Sequence, residues 1–325
     1  MGRRTFIGGV AAALLSVLLA ARAQQPAKVY RIGILEAIPA KQNAANLAAL
    51  RKGLGDRGYL EGRNLIIEYR SADGNADRFP ALASDLVRLN VDLIVTRGTP
   101  ATRAVKEATA TIPVVMATMG DPHPIVASFA HPGANITGVT TFSTELTAKR
   151  IELLKELVPN LSRVALLHNM GNPAAPPELE EIKTAARSLG LHVVLLDVRR
   201  EEELDRAFAQ AAREHAGAIV IGADGLTQAH RHTIVDLATR NSLPASCPDR
   251  EFVEAGGLLA YAVNYPDLYF RLASFIDKIF KGAKPEALPV EQPTRFELTI
   301  NLKTAKALGL TIPQSLVLRA DEVIE

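Results

Sequence analysis

A single cysteine, Cys247, in 325 residues leaves no intramolecular disulfide framework and no multi-cysteine metal or iron–sulfur site. Tryptophan is absent, and six tyrosines with ten phenylalanines make a chain poor in aromatics. A sugar site walled by indole faces is thereby excluded. Charge of one sign is also missing. The 37 basic and 35 acidic residues leave a formal charge of +2, which does not suit a surface built for nucleic-acid phosphates. Neither G-x-S-x-G nor H-E-x-x-H occurs, and His230 and His232 would face apart on a helix, so no metal site is expected. What remains is 48% hydrophobic and 22% charged, the composition of a folded chain long enough for two domains.

Residues 1–23 read as an export signal. Arg3 and Arg4 precede an apolar run from Phe6 to Ala21, and Ala21-Arg22-Ala23 supplies the small-x-small cleavage pattern. The run is shorter than the ~20 residues of a spanning helix, and no later stretch approaches that length. The paired arginines also fit a twin-arginine signal. No cysteine follows for a lipid anchor. Cleavage would leave 34 basic against 35 acidic residues and a soluble periplasmic chain of formal charge −1.

Beyond this segment the element pattern occurs twice. The first copy runs from strand Arg31–Leu35 through a helix, strand Asn64–Tyr69, helix Arg78–Leu89, strand Val91–Val95 and helix Pro100–Ala108 to strand Ile112–Val115. The second runs from Arg163–Leu167 through helix Glu178–Ser188, strand His192–Asp197, helix Glu201–Glu214, strand Ala218–Ile221 and helix Thr227–Arg240 to Leu243–Ala245. Short apolar strands alternating with amphipathic helices predict parallel sheets covered on both faces. The expected fold is therefore α/β, two doubly wound parallel-sheet lobes joined by a multi-strand hinge. Residues 29–138 with about 258–288 are assigned to the first lobe, and 139–257 with about 289–325 to the second.

In such sheets ligands sit beyond the carboxyl ends of the strands, so facing lobes share one cleft. The loops there nominate ligand-binding residues. Glu36 and Gln42 follow the first strand. In Arg97-Gly98-Thr99-Pro100-Ala101, Thr99 is placed to cap a helix whose free N–H groups could hold a carboxylate. Asp121, ahead of Pro122, could accept from an ammonium or close an Asx-turn. Asn169, Asn172 and Asp224 follow strands of the second copy, and Asp249, Arg250 and Glu251 follow its last strand. Tyr261, Asn264 and Tyr265 stand where the chain turns back, Tyr265 also fitting a ring that packs the hinge.

Gly53-Leu54-Gly55-Asp56-Arg57-Gly58 spells a dinucleotide fingerprint, but its glycines close a helix rather than follow a strand. Cys247 reads as a small buried hydrophobe. No catalytic set emerges, so no enzyme activity and no cofactor are expected.

Asn135-Ile136-Thr137-Gly138-Val139, then Lys149-Arg-Ile-Glu-Leu-Leu-Lys-Glu-Leu157, resemble the ABC-transporter substrate-binding family that includes tryptophan- and tyrosine-binding uptake proteins. So does Pro289-Val-Glu-Gln-Pro-Thr-Arg-Phe-Glu-Leu-Thr-Ile-Asn-Leu-Lys-Thr-Ala-Lys-Ala-Leu-Gly-Leu-Thr-Ile-Pro313. The resemblance runs from about Tyr30 to the C-terminus and implies the type I periplasmic binding protein fold, with three crossings and the ligand in the cleft. It maps Thr99-Pro100-Ala101 onto the family's ligand-facing turn and Asp121-Pro122 onto its Asp-Pro turn. Leu167-His168-Asn169-Met170 stands where the family tends to show Tyr-Asn-Pro, and Ala223-Asp224-Gly225 replaces a Thr-Asp-Asn-like stretch. An aromatic amino acid and another small carboxylate or amino-acid-like solute are equally compatible with these departures. The implied partners are a membrane permease and its ATPase, with the receptor a monomer. A sensor module and, further off, a cleft enzyme are the alternatives.

Overall fold

The structure, a computed structural model, describes residues 28–120, 125–141, 143–158 and 160–325. The expected export signal and Asp121 lie outside the described residues. The first lobe is built on β1 (Tyr30–Glu36), β2 (Leu65–Ser71), β3 (Leu93–Arg97), β4 (Val114–Thr118) and β5 (Ile136–Gly138). Their order is β2-β1-β3-β4-β5, all parallel. The second lobe holds β6 (Arg163–His168), β7 (His192–Asp197), β8 (Ala218–Ile221), β9 (Ala245–Cys247), β10 (Leu259–Ala262), β11 (Glu297–Asn301) and β12 (Glu322–Ile324). Their order is β12-β11-β10-β9-β8-β6-β7, with only the β10–β11 pair antiparallel. The sequence repeat is thus a structural one: β2-β1-β3-β4 corresponds to β7-β6-β8-β9.

Helices cover both faces of each sheet, which is why the central strands β1, β3, β6 and β8 are apolar on consecutive residues rather than alternate ones. Each lobe has one hydrophobic cluster on either side of its sheet. Helix Tyr265–Phe280 packs across helix Ala44–Gly55 on one first-lobe face, where a side chain at Gly53 would meet the Phe270 carbonyl oxygen at 2.6 Å. Close helix approach, not phosphate binding, accounts for that glycine. Tyr30, Tyr59 and Phe280 close the same face in stacked and edge contacts.

Three crossings join the lobes: after β5, between β10 and helix Tyr265–Phe280, and into β11. The first and third run side by side, with the Thr140 N–H donating to the Glu291 carbonyl at 3.0 Å and the Glu291 N–H to Gly138 at 2.9 Å. Strand β5 was not foreseen, since three residues rich in Thr and Gly read as loop. Gly138 is required there, because a Cβ would collide with the Met116 backbone of β4 and φ is +136°. Two further expectations need correction. Strand β10, within the stretch 258–288 assigned to the first lobe, pairs with β9 and β11 in the second sheet. The single helix expected over Thr227–Arg240 is two, Gly225–Ala229 and Arg231–Arg240, separated at His230.

Candidate functional site

The ends of β1, β3 and β4 face those of β6, β8 and β9 across a cavity of about 100 Å³. Glu36 ends β1 and is 1% exposed. Its Oε1 accepts from the Tyr269 hydroxyl and from Asn43 Nδ2 at 3.1 Å, while its Oε2 is buried with no partner. Burial pushes the Glu36 carboxyl above its ordinary range, against the opposing pull of the Arg97 charge and the Tyr269 and Asn43 hydrogen bonds.

Arg97 ends β3, and the turn after it depends on Gly98, whose φ of +83° would strain any other residue. The Arg97 guanidinium carbon lies 4.1 Å from the centroid of the Tyr265 ring, a cation–π contact. Its Nη1 is buried and has no hydrogen-bond partner. Helix Thr99–Ala108 then begins at Thr99, so Gly98 occupies the cap position expected for Thr99. Gly98, Thr99 and Pro100 nonetheless bring the start of this helix to the cavity wall.

On the second-lobe wall Asp224 is fully engaged, whereas His168 Nδ1, Arg150 Nε and Ser246 Oγ of the same lobe are buried without partners and outside the cavity lining. Asp224 Oδ1 accepts from Asn169 Nδ2 at 3.0 Å and from the Leu226 N–H at 2.9 Å, and Oδ2 accepts from Asn172 Nδ2 at 2.8 Å. Thr227 completes the capping box of helix Gly225–Ala229. Glu178 accepts from the Thr147 hydroxyl at 3.2 Å and faces His168 Nε2 at 3.2 Å, with Arg150 fully buried behind them. Asp249 Oδ1 caps helix Arg250–Glu254 through the Phe252 N–H at 3.3 Å. Its carboxyl is pushed up to about 6, first by burial and then by Glu251, against Arg97 and other opposing contacts.

Of the nominated residues, Glu36, Thr99, Asn172 and Asp224 line the cavity together. Asn169 stands behind Asp224 and holds it. Gln42 lies at the rim, where its Oε1 accepts from Arg231 Nη1 at 3.3 Å across the lobes. Three nominations need correction. Ala101 points into the first-lobe core, because its place in the first turn of the helix turns it toward the sheet. Tyr261 is on β10 and packs its ring against Phe296 at 5.8 Å, away from the cavity. Asn264 caps helix Tyr265–Phe280 through the Asp267 N–H and donates to Glu297; it borders a separate groove.

Sequence reasoning quoted Arg97 without choosing it and passed over Glu178 and Gln228, all of which line the cavity. A cation ending a buried parallel strand was the available signal for Arg97. For Glu178 there was none, since an acidic first helical turn is ordinary. Cys247 is buried, and burial raises its thiol well above the usual range.

This is the architecture of a two-lobed solute-binding protein with its site at the lobe interface. The chain belongs to the ABC transporter substrate binding protein family, whose model matches residues 31–324. That family is one of solute-binding proteins, not of enzymes. A tyrosine-binding protein of Clostridioides difficile (strain R20291) is 24% identical over 261 residues, 80% of this chain and 75% of the relative. A conserved domain protein of Vibrio cholerae is 27% identical at a TM-score of 0.85, over 91% of this chain and all of the other. The ABC domain of Streptococcus pneumonia in complex with L-Trp is 27% identical at a TM-score of 0.84, with the same coverage. Among the described residues no helix is long and apolar enough to cross a membrane.

Proposed function

We propose that the chain is the periplasmic receptor of an ABC importer, capturing a small amino-acid-like or carboxylate solute between its lobes. It would present the closed form, as a monomer, to a membrane permease and its ATPase. One observation carries the reading: a cavity lined from both lobes by apolar side chains and a few charged and polar ones, at a hinge of three crossings. A ligand touching both walls favours the closed state by its extra contacts there, and the permease reads that state. Binding at about micromolar strength requires near −8 kcal/mol, within reach of a few charge-assisted hydrogen bonds plus closure. The sequence of residues 1–23 supports export to the periplasm, and the two relatives named for tyrosine and L-Trp support an amino-acid-like ligand.

Native mass spectrometry of the purified protein, before and after mild unfolding, tests the reading. A small mass lost on unfolding is the expected result. An empty protein that also gains no thermal stability from a broad panel of amino acids and carboxylates would overturn it.

A further inference from the structure

We infer that the lobes close on a seam beside the cavity, where Arg231 of the second lobe latches onto Gln42 of the first, and that this latch sets how long a solute is held without touching it. The inference rests on the receptor reading and adds to it residues outside the ligand cavity. Its basis is a row of contacts between the lobes. From the first lobe come the loops after β1 and β2, joined where the Gly74 N–H donates to the Ala37 carbonyl at 2.8 Å. From the second come helix Gly225–Ala229 and the start of helix Arg231–Arg240. The two sides fit as reciprocal glycine–alanine pairs. A Cβ added at Gly225 would stand 2.5 Å from the Ala37 Cβ, and one added at Gly74 would stand 2.9 Å from the Ala229 Cβ and 3.0 Å from His230 Nε2. Contacts this close are forfeited by small separations, so they favour the shut form sharply. The break at His230 divides the helix where Ala229, His230 and Arg231 all meet the first lobe.

Arg231 is the charged member of the seam. A cation that opens a helix is opposed by the positive end of the helix dipole, so its place needs other support. Its own lobe supplies that support. Nη1 lies 3.7 Å from Glu251 Oε2 and donates to the Gln228 carbonyl at 3.4 Å, while Gln228 Nε2 donates to the same Glu251 oxygen at 2.9 Å. The guanidinium is thus aimed by second-lobe groups, with its side chain 12% exposed. Across the cleft it donates to Gln42 Oε1 at 3.3 Å. Gln42, Ala229, His230 and Arg231 do not line the cavity. Opening breaks the latch whatever solute lies inside, so the seam governs residence rather than the choice of solute.

Small-angle scattering of the purified protein, dialysed free of small molecules at low ionic strength, tests the latch by charge. Gln42→Arg sets a like charge against Arg231, and Gln42→Glu an opposite one. The ratio of closed to open protein should fall about tenfold in the first and rise about tenfold in the second, read as a larger and a smaller radius of gyration. A protein nearly all open or nearly all closed would hide one of these shifts but not both. Combining Gln42→Arg with Arg231→Glu should bring the radius back toward the original, and 1 M salt should shrink every change, as about 3 Å of screening length requires. Should Arg231→Glu not fold, the two Gln42 variants decide, since Gln42 is a half-buried rim residue. The off-rate should follow the same order, fastest in Gln42→Arg and slowest in Gln42→Glu, for whichever amino acid or carboxylate of the panel most raises the melting temperature. Radii unchanged in both Gln42 variants, shifts in the same direction, shifts that survive 1 M salt, or off-rates that ignore them would each overturn the latch. The expected radii in a protein that retains no solute and gains no stability from the panel would leave the seam standing and overturn the receptor reading instead.

Discussion

On the second-lobe wall Asp224 is filled from three directions, by Asn169, Asn172 and the Leu226 N–H. On the first-lobe wall, Glu36 and Arg97 each keep a buried polar atom with no partner. Both walls are made of strand ends and helix starts, so the difference lies in what the polar groups do. The cavity-lining side chains of the second lobe spend them on their own loops, and that lobe's unpartnered atoms, Arg150 Nε, His168 Nδ1 and Ser246 Oγ, lie outside the lining. The first lobe leaves them for something that enters the cleft. Substitutions on the two walls should therefore separate: first-lobe changes act on affinity with little cost to folding, second-lobe changes act on folding.

Asp249 is where that contrast would break first. It belongs to the second lobe, lines the cavity, and has its carboxyl raised from 3.8 to about 6 by burial and Glu251, with Arg97 and Arg231 opposing. The folded state therefore binds this proton more tightly than the unfolded one. The stability it contributes is fully present below pH 3.8 and is lost as the pH rises through about 6. Asp249→Asn keeps a good helix cap and removes the titration. The variant should match the original protein near pH 4 and exceed it near pH 7 by up to about 3 kcal/mol in urea unfolding. A variant no more stable at pH 7 would mean that Arg97 neutralises Asp249 across the cleft, binding the two walls into one electrostatic unit.

Asp224→Ala should show the second-lobe pattern. It deletes a capping box and strands two buried asparagine amides, for a loss of about 2 kcal/mol in unfolding free energy. Glu36→Gln, by contrast, removes a buried charge whose ionisation burial opposes, and should leave the melting temperature unchanged or higher. Equal destabilisation by both would erase the distinction between the walls.

Much of this was legible beforehand, and the misses have physical causes. The repeat of strand and helix spacings is a property of backbone hydrogen bonding in βαβ units, so it stood out although side chains differ between the copies. The strand-end rule brought Glu36, Thr99, Asn172 and Asp224 to the cavity. It could not tell a ligand contact from a cap, because Asp224 uses the same oxygens for either. Tyr261 and Asn264 were misplaced because β10 belongs to the second sheet, and strand pairing over long separations is invisible in local pattern. Arg97 was passed over because whether a charged side chain is buried and unpartnered is decided by elements elsewhere, here β1 and helix Tyr265–Phe280.

The smallest effect expected here concerns the contact between the walls rather than either wall. A Cβ added at Gly225 would stand 2.5 Å from the Ala37 Cβ across the cleft, although Gly225 has no left-handed φ and opens a helix that alanine favours. Gly225→Ala should therefore fold as well as the original protein while its lobes are held slightly apart. Its affinity for the native solute should fall about tenfold, the order of 1.4 kcal/mol, with the loss mainly in a faster off-rate. Small-angle scattering with ligand should give a larger radius of gyration than the unaltered complex. Adding Ala37→Gly removes the opposing methyl and should restore both readings. If the double variant stays weak, Gly225 matters for the placement of Asp224 and its asparagines rather than for closure. The loss would then belong to the second-lobe wall instead of to the contact between the two.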